Sequence, residues 1–291
     1  MGIGDEIMTS GIARRMQLSD PRKVRPLYQG KPRWHSIWDG NPRIAKPDEK
    51  GDFQILHARD LANNRPYHTK KTDERWTYNP DFRAEPGEIY LTSEERAFGL
   101  KYAGRIILEP HIKSNASPNK SWGWVRWNKL AYLLQKAGYR VTQLGPQGTK
   151  LLDEHVEHIV TPNFRLAAAV IGQARVCALP EGGGHHAAAA FNTPAVVIFG
   201  GFTPIELTGY ECHVNIGASF ADACGMRIPC KHCADWMASI KPEVVFNELE
   251  NILGRFSGSG RRASAENGTS PSRHDAGAEV AEGRWQAHVS V

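Results

Sequence analysis

The stretch of sequence that decides the fold is residues 176–191, VCALPEGGGHHAAAAF. Residues 176–179 are apolar and predict a short buried strand, and the alanines of residues 187–191 predict a helix. The three glycines between them predict a turn at which a ligand can approach the backbone without meeting a Cβ atom. Because parallel α/β sheets bind ligands at the carboxyl ends of their strands, the sequence predicts a binding site at this turn.

The residues of this turn suit an anion. The helix that follows presents free N–H groups and the positive end of its dipole, which favour a diphosphate. Glu181 could accept hydrogen bonds from sugar or ribose hydroxyls, or serve only as an acid at the helix start. His185 and His186 are either phosphate donors or ordinary first-turn residues, and a histidine pair alone does not make a metal site. The spacing is neither a dinucleotide fingerprint nor a P-loop, and a plain tight turn stays an alternative.

The segments around this turn continue the alternation of strand and helix. Strands are predicted at residues 105–109, 139–144, 157–160, 176–179 and 194–199, and helices at 124–137 and 164–173. This rhythm predicts the α/β class, with a parallel sheet covered by helices on both faces. Residues 1–103 are less regular, with a helix predicted at 6–16 and strands at 23–28, 53–57 and 88–91.

The composition is that of a globular protein with two domains. The chain has 291 residues, of which 41% are hydrophobic and 23% charged. No run approaches the ~18–20 apolar residues of a membrane helix, and the first residues lack a signal-peptide pattern, so a cytoplasmic protein is expected. Residues 257–291 are rich in Gly, Ser, Ala and charge and predict a disordered tail.

Positive charge is concentrated near the N-terminus. The net charge is +5, and residues 13–46 hold nine basic residues against two acids, Asp20 and Asp39. Such a stretch suits an anionic partner, whether a phosphorylated glycan, a nucleic acid or a membrane surface. An ordinary solvated surface would explain it equally well.

The five cysteines include a cluster with metal-ligand spacing. An odd count without a secretory signal argues against a disulfide framework. Cys224, Cys230 and Cys233, with Cys212 or His232 nearby, provide enough ligands for a structural zinc ion. Reduced and partly buried thiols are the alternative.

Two residues outside the glycine turn are candidates for catalysis. Asp5 precedes a predicted helix and is either its N-cap or a general base for an acceptor hydroxyl. Lys120 follows the strand at 105–109 and would reach the phosphate edge of the sheet, although most lysines are merely solvated.

The sequence has no Asp-x-Asp triplet, the pair of aspartates with which many sugar transferases hold a divalent cation. A metal-independent reaction is therefore expected, in which the helix dipole, lysine and histidine meet the leaving-group charge.

These residues, taken in chain order, resemble the motifs of glycosyltransferase family 9, the lipopolysaccharide heptosyltransferase family. Gly4-Asp5 resembles its N-terminal Gly-Asp motif, and Lys120 with Trp122 resembles its Lys-x-Trp motif. Residues 181–189, EGGGHHAAA, are similar to its Asp-(Thr/Ser)-Gly-x-x-His-x-x-Ala segment. The resemblance is good from residue 104 to residue 253 and weak from 20 to 103.

The resemblance implies a glycosyltransferase-B architecture with two Rossmann-like domains. Residues 1–103 would form the acceptor-side domain and residues 104–256 the domain for a nucleotide-diphosphate sugar, in an inverting and metal-free reaction. Only Met1, Gly2 and Ile3 precede the Gly4-Asp5 motif, where the family has a strand, so either the true start lies upstream or the first sheet lacks that strand. Glu181 replaces the usual aspartate, which suggests a sugar other than a heptose.

The resemblance also implies a role for each motif. Asp5 would be the general base, and Lys120 would neutralise phosphate charge. Gly183, Gly184 and His185 would offer backbone N–H groups to the diphosphate, and Glu181 would hold the sugar. The full expected donor site comprises Lys120, Glu181, Gly182, Gly183, Gly184, His185 and His186.

Two other classes of function compete with the enzyme. One is a nucleotide-sugar-binding relic without turnover, and the other is a zinc-stabilised nucleic-acid-interacting protein. In a third, hybrid case a nucleic acid is the acceptor that becomes glycosylated. The sequence chooses neither the base nor the sugar of the donor. An α/β-hydrolase is disfavoured because the chain lacks the G-x-S-x-G elbow.

Overall fold

The computed structural model describes residues 2–153 and 155–262, with side chains described as far as residue 255. The helices are α1 (Ile3–Met16), α2 (Ser93–Leu100), α3 (Trp124–Lys136), α4 (Phe164–Ile171), α5 (Gly183–Ala190), α6 (Ile205–Thr208), α7 (Lys231–Ser239) and α8 (Pro242–Arg262). The strands are β1 (Val24–Tyr28), β2 (Lys31–Pro32), β3 (Gln54–Arg59), β4 (His68–Lys71), β5 (Trp76–Tyr78), β6 (Ile106–Leu108), β7 (Val141–Gly145), β8 (Glu157–Val160), β9 (Val176–Pro180), β10 (Ala195–Gly200) and β11 (His213–Gly217). Helix α8 extends into the predicted tail as far as Arg262, and the rest of that tail lies outside the described residues.

Six parallel strands form the main sheet, in the order β11-β10-β9-β6-β7-β8. Every position of β7, β9 and β10 is buried, because helices cover both faces of the sheet. The first of these strands in the chain, β6, lies in the middle, and the chain moves outward to β8 before it returns to β9. The strand order therefore reverses between β6 and β9, which is the switch point where such sheets bind ligands.

Two apolar clusters cover the two faces of this sheet. One contains residues of α1, α4 and α5 together with Ile107 of β6. The other contains residues of α3 and α8 together with Ile106 and Leu108 of the same strand. Consecutive strand residues thus enter opposite clusters, as the pleat requires. None of the described helices is long and apolar enough to cross a membrane.

The N-terminal part forms a smaller sheet, in which β1 lies between β2 and β3. The strands predicted at 23–28 and 53–57 are confirmed as β1 and β3, which are parallel. The strand predicted at 88–91 is wrong, because this segment lies outside the described sheets. Its backbone bonds to α1 instead, through the Ser10 hydroxyl, which contacts both N–H and C=O of Glu88.

The hairpin of β4 and β5 was not predicted from its polar sequence. The N–H of Trp76 donates to the carbonyl of Gly225 at 2.9 Å, and its ring lies 5.4 Å from that of Phe202. Both partners are far away in the chain. The hairpin therefore joins the N-terminal part to the loops that follow the strands of the main sheet.

Helices α1 and α5 pack closely, and glycines permit this contact. A Cβ atom at Gly4 would overlap the ring of His186, and one at Gly183 would overlap Ile3. The predicted helix at 187–191 begins earlier than expected, at Gly183, so the glycines form its first turn. Helix α1 likewise begins at Ile3, which places Asp5 in its first turn.

Candidate active site

Asp5 is held from three sides. Its Oδ1 accepts a hydrogen bond from the Tyr67 hydroxyl at 2.6 Å, and its Oδ2 accepts one from the N–H of Gly2 at 2.9 Å. The Nε atom of Arg65 lies 3.0 Å from the same Oδ2. Burial and the charge of Asp5 raise the pKa of Tyr67, which keeps its hydroxyl protonated as a donor. With a side chain only 9% exposed, Asp5 is fixed in position by these contacts.

Arg65 lies beside Asp5, and the charge of Glu181 acts on it as well. Its guanidinium lies 4.9 Å from the ring centroid of Trp76 in β5. Although burial acts in the opposite direction, the neighbouring Tyr67, Asp5 and Glu181 raise the pKa of Arg65. The charges of two carboxylates, Asp5 in α1 and Glu181 after β9, thus both act on this guanidinium.

Lys120 and Glu181 form an ion pair at the carboxyl end of β9. Lys120 closes the 3₁₀ turn Pro118–Lys120, and Glu181 directly follows the strand. Their side chains are 16% and 8% exposed. The Lys120 ammonium lies 5.6 Å from the ring centroid of Phe202, which follows β10. Lys120 thus reaches the edge of the sheet where the sequence places it, with Glu181 as its partner.

His185 orders the first turn of α5. Its Nδ1 accepts a hydrogen bond from the N–H of Gly182 at 2.9 Å, so Nε2 carries the proton and donates to the carbonyl of Thr208 at 2.9 Å. Burial lowers the pKa of His185, in agreement with a neutral ring. Both ring nitrogens bond within the protein, so a ligand at this turn would be bound by backbone N–H groups rather than by the His185 ring. The N–H groups of Gly183, Gly184 and His185 are first-turn donors, which have no acceptor inside their own helix.

His186 lies at the contact between α5 and α1. Its Nδ1 is 2.6 Å from the Tyr210 hydroxyl, and its ring lies against Gly4. Burial, together with the neighbouring His185 and Lys120, holds the pKa of His186 well below its usual value. The ring is therefore neutral. It fixes the position of α1, and with it that of Asp5.

The three glycines of the turn have different surroundings. A Cβ atom at Gly182 would meet nothing within 4 Å, so this residue faces open space. A Cβ atom at Gly183 would overlap Ile3, and one at Gly184 would overlap the carboxylate of Glu109. Close packing thus requires two of the glycines, and the third leaves the approach to the helix start open.

Sequence reasoning missed three residues of this site, Arg65, Tyr67 and Glu109. Arg65 and Tyr67 stand in a polar stretch without a motif, and no local signal points to them. Glu109 directly follows β6, so the rule that ligands bind at the ends of strands could have identified it. Burial raises the pKa of Glu109 to about 7.

A second cluster contains the cysteines. The Sγ atom of Cys224 lies 3.3 Å from that of Cys233 and 3.8 Å from that of Cys230. His232 Nδ1 lies 4.0 Å from the Sγ atom of Cys233, and the four ligand atoms are all within 4.8 Å of one another. Cys212 is outside this group. Three sulfur atoms and one imidazole nitrogen are a donor set that suits tetrahedral zinc.

Asn119 links this cluster to the turn that carries Lys120. Its Nδ2 donates to the carbonyls of Met226 and Ile228 at 2.6 and 2.7 Å and lies 3.8 Å from the Sγ atom of Cys230. Its Oδ1 accepts a hydrogen bond from the N–H of Cys230 at 3.3 Å. The position of Lys120 therefore depends on the loop between Cys224 and Cys230.

The basic stretch at residues 13–46 is largely paired within the protein. Six of its nine basic residues lie within 4 Å of a carboxylate, namely Arg14, Arg15, Arg22, Lys23, Arg33 and Arg43. One of these pairs, Arg33 with Glu6, involves a carboxylate that is 1% exposed. Much of the positive charge in this stretch is therefore already compensated.

A denser group of cations surrounds His68, which follows Tyr67 in the chain. The ring of His68 is buried, and neither of its nitrogens has a hydrogen-bond partner among the residues that the structure describes. Burial and the nearby Arg65, Lys71, Arg59 and Lys120 lower the pKa of His68 to about 2. The Trp76 ring carries two guanidinium groups, those of Arg65 and Arg227, at 4.9 and 5.5 Å from its centroid. Arg59, Arg65, Lys71 and Arg227 are called the cationic cluster below, and the first three come from the N-terminal part.

The comparison with known families decides the identity of this fold. Residues 80–235, more than half of the chain, match the model of glycosyltransferase family 9 (heptosyltransferase). The chain belongs to glycosyltransferase family 9. No curated protein matches the chain. Family membership thus rests on the family model, in agreement with the motifs described above.

Solved structures of glycosyltransferases share the fold. A glycosyltransferase family 9 protein from Veillonella parvula is 14% identical, with a TM-score of 0.61 over 88% of this chain and 95% of that one. The iron-containing dodecameric glycosyltransferase TibC of Escherichia coli is 14% identical, with a TM-score of 0.52 over 90% of this chain and 77% of that one. The predicted α/β fold of glycosyltransferase-B type is confirmed.

A further likeness covers less of the molecule. The ADP-heptose lipopolysaccharide heptosyltransferase II of E. coli is 18% identical, with a TM-score of 0.44 over 59% of this chain. This chain covers 54% of that heptosyltransferase, so it spans about half of its length.

Proposed function

We propose that this family 9 protein is an inverting, metal-independent glycosyltransferase that moves a sugar from a nucleotide-diphosphate sugar to a hydroxyl acceptor. The observation that carries the proposal is the close packing of α1 on α5, in which Ile3 and Gly4, next to Asp5, contact the helix whose start follows the Lys120–Glu181 pair. Residues 104–256 would bind the donor, and residues 1–103 would bind the acceptor.

The diphosphate of the donor would bind at the start of α5. The N–H groups of Gly183, Gly184 and His185 and the helix dipole favour an anion there. Lys120 would exchange its partner, since a phosphate oxygen can replace Glu181 beside the ammonium. Glu181, once released, could then accept hydrogen bonds from sugar hydroxyls. The heptosyltransferase TibC, which matches this chain with a TM-score of 0.50, has been solved in complex with ADP-D-β-D-heptose. That complex supports a nucleotide-diphosphate sugar as the donor of this chain.

Asp5 would act as the general base. A carboxylate has about four lone-pair sites, and the hydrogen bonds from Tyr67 and Gly2 use two of them, with the Arg65 guanidinium beside Oδ2, which leaves a site for an acceptor hydroxyl. As Asp5 removes the proton, the hydroxyl oxygen bonds to the anomeric carbon and the bond to the diphosphate breaks on the opposite side. The helix dipole and Lys120 stabilise the departing charge.

The cationic cluster supports an anionic acceptor. Burial and the neighbouring Arg59, Arg65 and Arg227 lower the pKa of Lys71, because like charges are crowded together. A bound phosphate would relieve this repulsion, and guanidinium groups bind phosphate in a bidentate manner. A phosphorylated glycan and a nucleic acid both provide such a group.

The cysteine cluster is proposed to hold a structural zinc ion that plays no part in transfer. Cys224, Cys230, Cys233 and His232 provide the ligands, and thiolate ligands suit zinc and iron alike. Replacing Cys233 with Ser is expected to remove the metal and to lower the melting temperature by several degrees, since ~1 kcal/mol corresponds to about 2–4 °C in a protein of this size.

Elemental analysis of the purified chain, together with a thermal melt, measures this effect. Cys212→Ser is the matched control, because Cys212 lies outside the cluster, and it should keep the metal and the wild-type melt. Iron in place of zinc would correct the identity of the metal. A wild-type chain without metal, or a Cys233→Ser variant that retains it, would refute the site.

The donor site is tested by a thermal titration with nucleoside diphosphates and their sugars, with and without EDTA. A ligand at 100 times its dissociation constant should raise the free energy of unfolding by about 2.7 kcal/mol. We expect one nucleotide to stabilise the wild-type protein by this amount and to stabilise the Lys120→Ala variant less. EDTA should not change the increase in melting temperature that the nucleotide causes. Lys241→Ala, at an exposed position, is the control. If no nucleotide shifts the melt, the proposed donor site is wrong.

A further inference from the structure

Glu109 occupies the switch point of the main sheet. It directly follows β6, and Glu181 directly follows β9, the neighbouring strand across which the strand order reverses. The N–H of Glu109 donates to the carbonyl of Ala178 at 3.3 Å, which fixes its backbone to β9. Its Oε2 lies against Gly184, where any side chain would overlap it. The carboxyl group therefore touches the helix turn to which the donor diphosphate is assigned.

The surroundings of Glu109 differ from those of Glu181. Lys120 is paired with Glu181, and within the described residues Glu109 has neither an ion pair nor a side-chain hydrogen bond. The titratable group facing it from β9 is Cys177, whose pKa is raised by burial and by the charge of Glu109, so that this thiol stays neutral. From α5 the contact is Gly184, which has no titratable group. Burial raises the pKa of Glu109 to about 7.

A diphosphate at the start of α5 would place negative charge beside this carboxyl group. Two unpaired anions in contact disfavour each other, so one of them takes up a proton. A diphosphate diester keeps its charges at neutral pH, and the carboxyl group is therefore the one that is protonated. In that form it gains an O–H donor.

On the basis of the proposed donor site, we infer that Glu109 is a donor-binding residue that acts as a neutral carboxylic acid and donates its O–H to the diphosphate. Donor binding then takes up a proton from solvent wherever free Glu109 is ionised. Because the bound state holds more protons than the free state, donor affinity falls as pH rises above the pKa of free Glu109.

The test is calorimetric titration of the full chain with ADP-glucose and UDP-glucose from about pH 6 to about pH 9, where their diphosphate diesters do not titrate. The dissociation constant of the wild-type protein should rise towards tenfold per pH unit above about pH 7. Glu109→Gln, whose amide is a permanent donor, should bind with a dissociation constant that stays flat. Glu211→Gln, at an exposed position, should keep the wild-type profile.

A second measurement needs no variant. Titration in two buffers of different ionisation enthalpy should show proton uptake by the wild-type chain on the alkaline side. A flat wild-type profile without proton uptake, or a Glu109→Gln protein that keeps the pH dependence, would overturn the role of Glu109 while leaving the donor site intact. If neither these probes nor any nucleotide sugar of the thermal titration binds at any pH, the proposed donor site itself fails, and the inference fails with it.

Discussion

Replacing Asp5 with Asn is expected to reduce sugar transfer by about 10²–10⁴-fold while nucleotide-sugar binding is retained. The amide oxygen can still accept the hydrogen bond from Tyr67, whereas the amide NH₂ group, in the place of Oδ2, no longer accepts the hydrogen bond from the N–H of Gly2. An amide does not take a proton from the acceptor hydroxyl, and the attacking oxygen is then a weaker nucleophile. The measurement is the rate of nucleotide release with saturating acceptor, together with the dissociation constant of the donor.

The control for this experiment is Asp235→Asn. Asp235 is an exposed carboxylate whose partner, Lys231, is exposed as well, so this variant should transfer sugar at the wild-type rate. Full activity of Asp5→Asn would show that Asp5 only shapes the start of α1. Lost donor binding in the same variant would mean that the substitution acts on the fold of the site rather than on the proton.

Replacing Arg165 with Ala is expected to lower the free energy of unfolding by about 3–5 kcal/mol, the usual cost of breaking a buried ion pair. Arg165 lies in α4, and its Nε and Nη2 donate to the two carboxylate oxygens of Glu95 in α2 at 2.6 and 2.7 Å. Its Nη1 also donates to the carbonyl of Ser36 at 3.0 Å. The variant leaves Glu95 and this carbonyl without their donor, between the two parts of the molecule.

Denaturant unfolding of the variant, followed by circular dichroism, measures this loss. The matched control is Lys231→Ala, which breaks the exposed pair with Asp235 and should cost only about 0.3–0.5 kcal/mol. A loss of similar size in both variants would show that the Arg165 pair does not hold the N-terminal part on the main sheet.

The sequence predicted those parts of the fold that local patterns determine. The strands of the main sheet are short apolar runs between helical segments, and such runs specify buried parallel strands without reference to distant residues. The start of α5 was placed too late because glycine usually disfavours a helix. There the close contact with Ile3 and Glu109 requires glycine inside the first turn.

The parts that could not be predicted depend on contacts between distant residues. The hydroxyl of Tyr67 bonds to a carboxylate 62 positions earlier, and no spacing rule connects the two. Residues 88–91 alternate like a strand, yet their backbone bonds to Ser10 of α1. The cysteine cluster is the opposite case, because its four ligands lie within ten consecutive residues and their spacing alone suggested a metal.

The central claim is that a nucleotide diphosphate binds at the start of α5, and a crystal structure of the full chain with a bound nucleoside diphosphate tests it most directly. The account predicts phosphate oxygens within about 3.2 Å of the N–H groups of Gly183, Gly184 or His185, beside the Lys120 ammonium. A diphosphate bound elsewhere on the molecule, with this turn still in contact only with protein, would contradict it.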